Sequence, residues 1–173
     1  MVEEGNLIIP KEIDNNEPLL RAVSAPSCLD GENRATHLAF RLRNNEKDLS
    51  LSRLLYEELR LFLKRSFRIN FKFLSLKDAP SGAVELNAGE INGLDDHIVL
   101  RATPHKTLVA HASIFFKNED GTNFIGKNTT DPVDSSILGY ELALASIVRK
   151  VYDKDGKVIW PIAKSMAEEK NAG

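Results

Sequence analysis

With a single cysteine, Cys28, the chain can form no internal disulfide and cannot assemble a thiolate zinc site. The expectation for Cys28 is a small, half-buried residue beside a turn. Long apolar runs are also missing: no stretch nears the ~20 residues needed to cross a bilayer, because Arg, Lys or Glu interrupts each candidate. The first residues, Met1-Val2-Glu3-Glu4-Gly5, are acidic and lack the basic start and apolar centre of a secretory signal. Together these absences predict a soluble, cytoplasmic protein with no membrane partner.

The familiar catalytic signatures are absent too. There is no Gly-x-Ser-x-Gly elbow, no phosphate-cradling Gly-x-x-x-x-Gly-Lys-Ser/Thr, no Gly-x-Gly-x-x-Gly and no His-Glu-x-x-His. No cofactor is expected, and no catalytic residue stands out beyond His111.

What is present is an ordinary globular composition. The 173 residues are 42% hydrophobic and 28% charged, enough for one core and short for two domains. The net charge of −2 hides a polarised chain. Residues 1–33 hold two Lys/Arg against seven Asp/Glu, whereas residues 34–78 hold eleven against five. A basic middle between acidic flanks suits an anionic partner, or neutralises its own neighbours.

Residues 1–33 are expected to be an irregular acidic arm. Leu7–Ile9 could make a short strand stopped by Pro10, while Pro18 and Pro26 oppose any long helix. Residues 34–170 are expected to form one α+β domain, a mainly antiparallel or mixed sheet of five or six short strands. Two main helices, at about 52–66 and 135–152, should pack on it.

Alternation of Leu38, Phe40 and Leu42 with His37, Arg41 and Arg43 predicts a strand over 36–43. Leu55, Leu59, Phe62 and Leu63 supply the stripe of the first helix. Phe67, Ile69, Phe71 and Phe73 alternate with polar residues and predict a strand over 67–73. A strand–helix–strand unit over 36–73 could then be parallel. Further strands are expected at 83–86, 98–101 and 107–116, the last two joined as a hairpin, with a second hairpin turning at Asn118–Gly121. Asn87 and Glu90 have capping-box spacing. Val158–Trp160 should be extended, and a short helix should span 162–170.

Three sets of residues are candidates for function. His97, His105 and His111 fall within fifteen residues, close to Asp95 and Asp96, and could converge on a divalent metal or support a small hydrolase. The plainer alternative places His97 and His105 in solvated turns and His111 on the polar side of a hairpin. Arg41, Arg43, Arg68 and Lys72 would share the outer face of the expected strand pair and could follow the phosphates of DNA or RNA. The 135–152 helix is apolar around much of its circumference, so Ile137, Tyr140, Leu144 and Val148 could meet a partner. The leading functional expectation is a non-catalytic interaction or adaptor module of an intracellular complex, binding another protein or itself. Nucleic-acid binding and a histidine-based hydrolase follow in that order.

Overall fold

The computed structural model describes residues 9–24, 27–73, 82–127 and 134–162, with the helix at 67–73 described by its backbone. The expected helix at 162–170 and residues Leu7 and Ile8 therefore lie outside the described residues almost entirely. The architecture is α+β. Among the described residues seven strands form one sheet: β1 Pro18–Val23, β2 Leu49–Arg53, β3 Gly82–Asn87, β4 Ile98–Ala102, β5 His111–Phe116, β6 Lys150–Asp153 and β7 Val158–Trp160. Their order is β4-β5-β2-β1-β3-β6-β7, and neighbouring strands pair antiparallel throughout the described sheet. Three α-helices, α1 Leu59–Phe73, α2 Ala88–Asn92 and α3 Ser135–Ser146, accompany a 3₁₀ turn at His37–Phe40.

The main core lies on one face of the sheet. Leu19, Leu49, Leu51, Val84, Leu86, Ala112, Ile114, Phe116 and Val151 point into it. Ile137, Leu144 and Val148 from α3 and its C-terminal exit close over them, with Ala39 and Phe40 from the 3₁₀ turn and Ile91 from α2. Removing this much apolar surface from water is the main stabilising term. The opposite face has a smaller cluster, in which Leu20, Ala83 and Tyr152 meet Phe62 and Leu63 of α1. That cluster lies on the β1-β3-β6 side.

Several expected elements are differently placed. Residues 18–23, inside the stretch read as an irregular arm, form β1 near the middle of the sheet. Leu19, Leu20 and Val23 are buried there, so the strand is apolar on both faces and shows no clean alternation. The expected strand at 36–43 is instead the 3₁₀ turn and an irregular run lying over the core. Phe40 and Leu42 are buried as alternation suggests, but so is Ala39 immediately before them.

The helix expected at 52–66 begins only at Leu59, because Ser52 and Arg53 end β2 and a turn follows them, and it runs on as α1 through the strand expected at 67–73. Leu49 and Leu51 alternate with Ser50 and Ser52, a strand pattern that the nearby leucines obscure. Between Leu59 and Phe73 there is no glycine or proline, so nothing stops the helix where the phenylalanines begin to alternate. The parallel strand–helix–strand unit is consequently absent. Similarly, α3 ends at Ser146, and Val151 pairs with Val84 across β6 and β3. β-branched Ile147, Val148 and Val151 fit the helical period but favour extended structure.

Local signals fared better. Asn87 caps α2 by accepting from the Glu90 amide at 3.2 Å, and Asp134 caps α3 by accepting from the amides of Ser136 and Ile137. The 98–116 hairpin is present as β4 and β5. Around 118–121 the second hairpin is reduced to one bridge, Lys117 with Asn123.

One ion pair secures the approach to β1. Arg53, at the end of β2, and Glu17, just before β1, are 1% and 2% exposed. The Arg53 Nη2 donates to Glu17 at 2.8 Å, and the same guanidinium donates to the carbonyls of Pro10 and Glu12. Glu17→Ala should strand a buried guanidinium and cost about 3–5 kcal/mol. Urea denaturation of the two proteins checks this; a loss below about 1 kcal/mol would place the pair among merely solvated contacts.

Candidate functional site

Two surfaces stand out on the side of the sheet that α1 packs against. The first is the β4-β5-β2 half, beyond the apolar cluster under α1, where Ser52 and Ser113 are buried, Thr103 and His111 half-buried, and Ser50 and Arg101 exposed. Register aligns Arg101, Ser113 and Ser50 across β4, β5 and β2. In the next row His111 opposes Ser52, and the Thr103 amide bonds the His111 carbonyl. Side chains on neighbouring strands at paired positions share a face. The floor is thus a two-by-three array of four hydroxyls, an imidazole and a guanidinium. The reverse side of the same strands presents Leu100, Ala102, Ala112, Ile114, Leu49 and Leu51.

These groups are linked. Thr103 Oγ1 lies 2.8 Å from His111 Nδ1 and 2.8 Å from Ser113 Oγ. His111 Nδ1 is also 3.1 Å from the Thr103 carbonyl, which fixes the proton on that nitrogen. No hydrogen bond among the described residues engages Nε2. Ser52 donates to Glu57, and Glu57 accepts two bonds from Arg65, at 2.8 and 2.7 Å. Burial pushes the Glu57 carboxyl up, but the bonds from Arg65 and Ser52 outweigh it and hold the group below its usual value. Burial lowers His111, helped by the positive fields of Arg65 and His105 and opposed by the Thr103 carbonyl and Asp48. His111 is therefore a neutral imidazole at pH 7 with one free acceptor nitrogen.

His97 stands well away from His111, whereas His105 is near enough for its charge to act on that ring. His97 precedes Ile98, which pairs with Phe116 at one end of the hairpin, while His111 lies at the other. Five strand residues separate these levels, about 17 Å at the usual rise. His97 bonds Asp95 at 2.9 Å and stacks on Tyr140, and His105 is exposed beside Thr107. Among the described residues no group of three or more His, Cys, Asp or Glu could hold a metal ion.

The second surface is the outer side of α1. Phe62, Leu63 and Ser66 face inward and are buried. Arg60, Leu61 and Lys64 are exposed, Leu61 by 57%. Leu55, in the turn before the helix, is 62% exposed. The helix carries Arg60, Lys64, Arg65, Arg68 and Lys72 and no acid. At 3.6 residues per turn, positions 60, 64, 68 and 72 run as one ridge along its backbone.

Arg68 and Lys72 thus belong to a helix, not a strand. Arg41 and Arg43 sit elsewhere, in the irregular run after the 3₁₀ turn. Arg41 pairs with the buried Glu141 of α3 at 3.3 Å. The four cations do not form the shared strand face expected of them. Ile137, Leu144 and Val148 are buried in the main core, and Tyr140 packs against it. They hold α3 in place, while Leu142 on the same helix is exposed. Sequence reading missed Ser50, Ser52, Glu57, Arg65, Arg101, Thr103 and Ser113. The one available signal was hydroxyls alternating with leucines over 49–52.

Because the native pKa of His111 is depressed, the unfolded chain takes up a proton first as pH falls below about 6.5. Stability should decline through that range until the lowered native pKa is reached. A His111→Gln variant should lose less melting temperature than the parent between pH 7.5 and 5; parallel curves would contradict the assignment. No protein-family model, no curated protein and no solved structure matches the chain.

Proposed function

We propose that the chain is a non-catalytic interaction module that docks an acidic segment of another protein along the outer side of α1. The observation that carries this reading is the exposed Leu61 between the exposed cations Arg60 and Lys64, on a helix without a single acidic residue. Large aliphatic side chains in water gain most from burial against a partner, and the surrounding positive charge selects for acidic chains. A basic amphipathic helix of this kind suits a helix-sized apolar groove or an acidic helix.

A second reading is nucleic-acid binding. It is favoured by the four-cation ridge at positions 60, 64, 68 and 72. The exposed leucines favour the protein partner, since phosphate-tracking surfaces interleave their cations with aromatic or polar groups.

Fluorescence anisotropy of the whole chain with a labelled Glu/Leu amphipathic peptide and with labelled DNA and RNA oligonucleotides separates the two. The peptide should bind, with affinity falling at least tenfold in Leu61→Ser and in the Arg60→Glu/Lys64→Glu double variant. These surface changes should leave stability within about 0.5 kcal/mol. Binding of oligonucleotides but not peptide at about 50 mM salt would replace this reading with the second. Peptide binding indifferent to all three substitutions would remove α1 as the surface.

A further inference from the structure

The β4-β5-β2 half of the sheet is a separate surface from the outer side of α1, and its chemistry points to a small ligand. Six adjacent same-face positions on three strands carry no apolar side chain: Arg101, Ser113, Ser50, Thr103, His111 and Ser52. Ser113 and Ser52 are buried, Thr103 and His111 half-buried, and Arg101 and Ser50 exposed, so hydroxyls gather around an imidazole with a cation at the wet edge.

The groups differ in what they still need. Thr103 and Ser113 satisfy one another, and Thr103 holds His111 Nδ1. Ser52 is taken by Glu57, and Arg65 is tied to the same carboxylate. Three groups remain. His111 Nε2, on a neutral ring, can only accept a hydrogen bond. Arg101 is exposed and has no ion-pair partner among the described residues; its guanidinium offers a planar fork to an oxyanion. Ser50, exposed and paired with Ser113 on the strand beyond Arg101's own partner, can donate or accept. A ligand that completes all three must bring an anionic oxygen group and at least one hydroxyl.

We propose that this shelf binds a small phosphorylated polyol. Its phosphate lies on Arg101, and its hydroxyls donate to His111 Nε2 and exchange hydrogen bonds with Ser50. Thr103 acts as a positioning residue, orienting the imidazole so that Nε2 faces outward.

Isothermal titration of the whole chain with ribose 5-phosphate tests the assignment, with inorganic phosphate and ribose titrated separately. Ribose 5-phosphate should bind, and more tightly than either fragment by at least tenfold. Arg101→Gln and His111→Ala should each weaken it by at least tenfold. Arg101 is exposed, so its variant carries the test even where His111→Ala folds poorly. Leu61→Ser should leave this binding unchanged, which separates the shelf from the α1 surface. No binding up to about 10 mM would overturn the proposal. Equal binding by parent and Arg101→Gln, or phosphate alone binding as tightly as ribose 5-phosphate, would overturn it as well.

Discussion

A guanidinium almost sealed from water sets the geometry of the whole sheet. Arg53 grips the Glu17 carboxylate and the carbonyls of Pro10 and Glu12, tying the segment before β1 to the end of β2. Desolvating such a pair is expensive, so it gives little net stability relative to an apolar replacement. Its effect is on register: with Glu17 fixed, Leu19 falls opposite Arg53 and Leu86. β1 then seats Leu19 in the main core and Leu20 beneath α1. Arg21 completes the arrangement by donating to the carbonyls of Ala39 and Ser50, which links the 3₁₀ turn to the same strands. A similar closeness holds β3 against β6, where a Cβ at Gly82 would stand 1.9 Å from the Tyr152 carbonyl oxygen.

From this frame the asymmetry of the second sheet face follows. α1 is fifteen residues long, about 22 Å, and its buried side chains reach Leu20, Ala83 and Tyr152. Beyond that cluster β2, β5 and β4 carry polar residues on the same side, where Arg65 of α1 binds Glu57 and Glu57 accepts from Ser52. Arg60 and Lys64 lie on the exposed side of α1. An amphipathic helix buried along one side must be wetted along the other.

Much of this was legible from the residues, though unevenly. The cap at Asn87 depends on an interaction three residues apart, and the structure has it where local chemistry puts it. The 98–116 hairpin and Val158–Trp160 likewise stand as expected. Period-based readings failed where two periods fit the same residues. Phe67 to Phe73 alternate, but an uninterrupted helix claims them; Val151 fits the stripe of α3, but pairing with Val84 claims it. β1 was hidden because a strand buried on both sides has no alternation to see.

The site was less legible than the fold. His111 could be singled out because it lay inside a strand rather than a turn. Its neighbours Thr103, Ser113 and Ser52 come from three strands whose register only the folded sheet supplies. The helix face was obscured for a simpler reason: dividing 52–73 into helix and strand splits the ridge of Arg60, Lys64, Arg68 and Lys72 in two. The central claim is that this reunited face is where a partner docks. The most direct measurement is the amide NMR spectrum of the whole chain titrated with an acidic, leucine-containing peptide. Shifts confined to residues 55–73 are predicted; shifts centred on α3, or none at saturating peptide, would contradict the account.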